Sequence, residues 1–77
     1  MEFVQILTDA QVDEADAIVT DNARRGMKGI LADWNIEAWG GETYVDLYFY
    51  SNLTHEEKQD KLNDVLDDLR GQVVESR

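Results

Sequence analysis

Seventy-seven residues with no cysteine and a formal charge of −10 describe a single small domain, residues 1–77, without a disulfide framework or a thiolate metal site. So large an acidic excess argues against direct contact with nucleic acid or an anionic membrane, since both are bound through cations. No apolar run is long enough to span a bilayer and the first residues lack a signal-peptide pattern, so the expected compartment is the cytoplasm, that of a host if the chain is phage-encoded.

The chain opens on Glu2 to Leu7, a short apolar run that predicts a strand, although Phe3, Ile6 and Leu7 also fit a helical turn. Thr8 is expected to open a helix, with Gln11 as its capping-box partner. Val12, Ala15, Ile18, Val19 and Ala23 then recur at helical spacing. Arg24 and Arg25 suit the negative end of a helix dipole, and Gly26 is a natural stop. The outer side of this helix carries Asp9, Asp13 and Asp16.

Met27 to Gly29 link to the stretch that organises the rest, Ile30 to Tyr50. Gly40-Gly41 stands between two runs rich in aromatic and β-branched residues and supplies the positive φ angles of a two-residue hairpin turn. That turn sets Trp39 opposite Glu42, Glu37 opposite Tyr44, Ile36 opposite Val45, Trp34 opposite Leu47, Asp33 opposite Tyr48 and Ala32 opposite Phe49. Alternation sorts these residues into two faces. Ala32, Trp34, Ile36, Val45, Leu47 and Phe49 form an apolar face, and truncating Trp34 there should cost roughly 3–5 kcal/mol. Leu31, Asp33, Asn35, Glu37, Trp39, Tyr44, Asp46, Tyr48 and Tyr50 form the other, which mixes aromatics with carboxylates and holds no Lys or Arg.

After Ser51 to Leu53, Thr54 and Glu57 spell a capping box for a second helix. The sequon Asn52-Leu53-Thr54 reads as turn and cap chemistry. Leu62, Val65, Leu66, Leu69 and Val73 form an apolar stripe, and Glu56, Glu57, Asp60, Asp64, Asp67 and Asp68 line the opposite side. The tail after Gly71 is expected to fray. The order β-α-β-β-α, with two one-sided helices and one apolar sheet face, predicts an α+β domain. Its three-stranded antiparallel sheet would run in the order 2-3-1 with both helices on one face, a ferredoxin-like arrangement without its last strand. The first strand is then left as an open edge.

No catalytic constellation stands in this sequence. His55, the only histidine, falls by helical phase on the apolar side of the second helix and reads as a packed or capping residue. Ser51 and Ser76 have no base-and-orienter pattern around them. Gly40-Gly41 is a turn and not a phosphate loop. Asp60, Asp64 and Asp67 lie along a helix rather than converging from a loop, so no metal or other cofactor is expected.

Two surfaces remain as partner contacts. One is the pair of acidic helix faces: Asp9, Asp13 and Asp16, then Glu56, Asp60, Asp64, Asp67 and Asp68. Carboxylates four residues apart on a helix rise by about 6 Å, close to the spacing of phosphates along a strand. The other is the aromatic and acidic sheet face: Asp33, Glu37, Trp39, Tyr44, Asp46, Tyr48 and Tyr50. The expectation is a non-enzymatic inhibitor that binds a basic, nucleic-acid-handling protein, in the manner of a phage-type anti-defence protein or nucleic-acid mimic. An immunity protein or antitoxin facing a cationic toxin uses the same physics, and a salt-adapted structural domain uses the acidity for solubility alone. A homodimer through the open edge or the aromatic face is a further expectation.

Overall fold

The computed structural model describes residues 1–25 and 30–77. The expected helix stop at Gly26 and the link Met27 to Gly29 lie outside the described residues. The elements are β1 (Glu2–Thr8), α1 (Val12–Arg24), β2 (Leu31–Trp39), β3 (Glu42–Phe49), α2 (His55–Leu69) and β4 (Gln72–Ser76). Neighbouring strands are antiparallel throughout, in the order β2-β3-β1-β4. The three-stranded sheet is therefore corrected to four strands. The tail after Gly71 does not fray but pairs along the far side of β1, completing a β-α-β-β-α-β ferredoxin-like arrangement. The physical reason is the edge itself. Unpaired N–H and C=O groups along β1 need partners, and the pairing runs on to Arg77, whose N–H donates to the Phe3 carbonyl at 2.7 Å while Phe3 N–H donates to the Arg77 carbonyl at 2.8 Å.

The hairpin takes the register its turn dictates. Gly40 and Gly41 both have positive φ, 62° and 79°, as a type I′ turn requires. Five of the expected pairs stand from Trp39↔Glu42 to Asp33↔Tyr48. The register then slips. Leu31, not Ala32, faces Phe49, so Ala32 is the extra residue of a bulge and Leu31 moves to the apolar side, against the core.

One face of the sheet meets both helices. Val4 and Ile6 of β1 and Val45, Leu47 and Phe49 of β3 are buried against Ala15 and Val19 of α1 and Leu62, Val65 and Leu69 of α2. Trp34 and Ile36 belong to this face but are only half-buried, because β2 is an edge strand and the core is centred on β1 and β3. Trp34 is thus a margin of the core rather than its centre.

Local signals explain the helix ends. The Thr54 hydroxyl accepts from Glu57 N–H at 3.1 Å and the Glu57 carboxylate accepts from Thr54 N–H at 3.0 Å, a complete capping box. Thr8 does something other than cap α1. Its hydroxyl donates to the Leu69 carbonyl at 2.8 Å and accepts from Ala10 N–H at 3.1 Å, fastening the end of β1 to the end of α2. The N-cap of α1 is Gln11, with no side-chain cap bond. His55 is exposed in the first turn of α2 rather than packed.

The helices are joined by a polar seam. Lys61 is only 6% exposed, and its ammonium donates to the carbonyls of Asn22 and Arg25 at 2.8 and 2.9 Å. Both carbonyls lie at the negative end of α1. Asn22 donates to the Ile18 carbonyl and to Asp68 Oδ2. Lys61→Met keeps the buried stem but removes the donor, and should lower unfolding free energy by about 1.5–3 kcal/mol in urea denaturation. An unchanged midpoint would show that water serves those carbonyls equally well.

Candidate functional site

Several of the few cations are engaged by contacts within the fold, although Arg24, Arg25, Arg70 and Arg77 remain exposed. Arg25 reaches Asp21 at 3.1 Å and Asp68 at 2.8 Å. Lys58 holds Glu2 at 2.7 Å, Lys61 is buried in the helix seam, and Arg77 meets Glu75 at 3.1 Å. Four of the seven basic residues are thus engaged within the fold. The acidic residues on the helical side keep their charge outward. Asp13 and Asp16 on α1, and Glu56, Asp60, Asp64 and Asp67 on α2, are exposed and have no ion-pair partner among the described residues. Glu14 adds to the α1 row, a residue the sequence reading passed over. Asp9 is exposed but lies in the turn before α1, not on the helix. Asp68 differs from the others, because its carboxylate is held by Asn22 and Arg25.

Three carboxyls sit below the usual carboxylate range, each for a local reason. Asp68 is lowered first by the Asn22 amide and then by the Arg25 guanidinium. Glu57 is lowered by the Thr54 backbone N–H it caps, then by the Thr54 side chain. Glu2 is lowered by the hydrogen bond from Lys58. A folded-state pKa below the unfolded one means stability that is complete above the ordinary range and lost as pH falls through the lowered value. Asp68→Asn should therefore flatten the loss of Tm below about pH 4 relative to the parent chain. Parallel Tm–pH curves for the two proteins would mean that Asp68 gains nothing from its partners.

The opposite side of the sheet bears no helix and carries a built pattern. Register places Phe3, Gln5 and Leu7 of β1, Tyr44, Asp46 and Tyr48 of β3, and Asp33, Asn35, Glu37 and Trp39 of β2 on this side. At one end Trp39 and Tyr44 stack, with ring centroids 4.3 Å apart and planes 9° from parallel. At the other, Phe3 and Tyr48 meet at 5.2 Å, tilted by 48°, and the Arg77 guanidinium lies 4.5 Å from the Phe3 ring centroid. Asp46 stands between, only 5% exposed, and accepts from Gln5 Nε2 at 2.9 Å. Its carboxylate is thus engaged inside the fold rather than presented to a partner. Asp33 is exposed, Glu37 is half-buried and accepts from Asn35, and Tyr50 is exposed just beyond β3. Phe3, Gln5, Glu75 and Arg77 belong to this surface although sequence reading left them out. The alternation Phe3-Gln5-Leu7 was the available signal for the first two.

Among the described residues no group of three His, Asp or Glu side chains is placed to hold a metal ion, and no helix is long and apolar enough to cross a membrane. The sequence matches no protein-family model and no curated protein.

Proposed function

We propose that this chain is a small cytoplasmic binding protein that occupies a basic site on a partner protein, of the kind that otherwise holds nucleic acid, and blocks it. The observation that carries this reading is the segregation of charge. Internal contacts engage Arg25, Lys58, Lys61 and Arg77, while Asp13, Asp16, Glu56, Asp60, Asp64 and Asp67 remain exposed along two packed helices. Such a field accelerates encounter with a cationic surface and repels nucleic acid. A salt-adapted domain needs the same number of carboxylates but no partner.

The test is affinity capture from cells that produce the protein, with the parent chain and with Asp60→Lys/Asp64→Lys/Asp67→Lys as baits. The parent should retain a basic partner that added salt releases, and should displace nucleic acid from that partner once it is purified. The triple variant should bind it at least roughly tenfold more weakly at low salt. Its stability should stay within about 0.5 kcal/mol of the parent, since all three residues are exposed and have no ion-pair partner among the described residues. Equal binding by the variant sinks the acidic-mimic reading.

A further inference from the structure

We propose that the Trp39–Tyr44 stack, with Glu37 and Glu42 beside it, is a guanidinium site that receives an arginine side chain from an extended segment of the partner protein. This deepens the reading above and rests on it in one respect, that the partner is basic.

The fold contains its own precedent. On the bare side of the sheet, β3 carries an aromatic residue at each end of a three-residue row, Tyr44 and Tyr48, about 13 Å apart at strand rise. Each is paired with an aromatic from a neighbouring strand, Trp39 from β2 and Phe3 from β1. The Phe3–Tyr48 pair already holds a guanidinium, that of Arg77, lying on the Phe3 ring with Glu75 as counter-ion. The Trp39–Tyr44 pair has the same kind of surroundings. Glu37 lies directly across from Tyr44, and Glu42 directly across from Trp39. Among the described residues no cation reaches this pair.

Chemistry then selects the ligand. A stacked indole presents a negative π-face, and with flanking carboxylates it suits a planar, weakly hydrated cation better than a compact ammonium. Tyr44 covers one side of the indole, yet Trp39 remains 57% exposed, an unusual state for the largest side chain. The contribution of Asp46, buried between the two aromatic pairs, is negative potential rather than contact. An anion finds no complement here, and an arginine side chain does.

The experiment is an NMR titration of the full chain at low salt with a short capped peptide of alternating arginine and glycine, and with its lysine counterpart. The arginine peptide should shift the Trp39 indole N–H and the amides from residue 37 to residue 44, and should bind roughly three- to tenfold more tightly than the lysine peptide. Trp39→Ala should erase that preference; the exposure of Trp39 leaves the fold intact, which a thermal melt verifies. Asp60→Lys/Asp64→Lys/Asp67→Lys should keep it. Equal affinity for the two peptides, or an arginine preference that survives Trp39→Ala, overturns the site. Shifts confined to α1 and α2 also overturn it, while leaving the proposed function standing. An arginine preference that depends on Trp39, together with undiminished partner capture by the triple variant, would keep the site and sink the acidic-helix reading.

Discussion

Phe49→Ala is expected to bring this domain close to unfolding at room temperature. Phe49 is the largest of the fully buried side chains. It ends β3, faces Glu2 on one neighbour and Leu31 on the other, and belongs to the cluster that both helices cover. Truncating a buried phenylalanine removes its transfer free energy and leaves a cavity, about 3–5 kcal/mol together. A domain of this length has roughly 4–12 kcal/mol in all, so the loss consumes much of the reserve. The Lys58 ammonium, 5.9 Å from the ring centroid, also loses its aromatic neighbour. Urea denaturation followed by circular dichroism measures the change. Trp34→Ala is the informative companion. Trp34 is larger but half-buried on an edge strand, so it should cost roughly half as much. Equal costs for the two would show that β2 is packed as tightly as β3.

Gly71→Ala should destabilise by about 1–3 kcal/mol, and should do so by loosening β4. A Cβ on Gly71 would stand 2.6 Å from Ile6 Cγ2 and 2.8 Å from the Leu7 carbonyl oxygen. Ile6 is fully buried and the carbonyl is backbone, so neither gives way cheaply. The turn between α2 and β4 is a Schellman motif. Gly71 N–H donates to the Leu66 carbonyl at 3.2 Å and Arg70 N–H to the Asp67 carbonyl at 3.4 Å. Its left-handed position, usually glycine, is Arg70 at φ 52°. The glycine is placed one residue later because space against β1, rather than φ, is the tighter demand. The reciprocal variant Arg70→Gly should therefore stabilise by about 1 kcal/mol. Amide exchange resolves the mechanism: in Gly71→Ala the Phe3 and Arg77 amides should lose protection before those of β3. Uniform loss across the sheet would mean that β4 is not the weak point.

The hairpin was legible because two glycines fix the turn and alternation on both strands agrees with a single register. Its bulge was not, since Leu31 and Ala32 both suit an apolar face and only packing against Phe49 chooses between them. β4 escaped notice for a related reason. Sequence patterns report burial, and every residue from Gln72 to Ser76 is exposed. What holds the strand is backbone pairing to β1, which leaves no mark on side-chain periodicity. The open edge expected for the first strand was the indirect sign that something must cover it. Thr8 looked like a cap because Gln11 follows it at the right interval, yet its hydroxyl partner is the carbonyl of Leu69, sixty-one residues away. On the candidate surfaces the exposed carboxylates were readable one by one. The engagement of Asp68 by Asn22 and of Asp46 by Gln5 was not, because each bond joins residues more than forty positions apart.

The place of β1 between β3 and β4 has a consequence for how the chain is made. This seven-residue strand leaves the ribosome before either of its partners and has no neighbour in sequence to pair with. One partner begins at Glu42 and the other reaches Ser76, so the native sheet closes only once both of these later strands have been synthesised. The β2–β3 hairpin and α2 can form locally before then, whereas Val4 and Ile6 must wait, apolar and uncovered. The sheet then closes at a rate governed by bringing residues 2–8 to residues 42–49 and 72–76. Nascent chains halted before residue 72 should accordingly bind general chaperones that the finished protein does not.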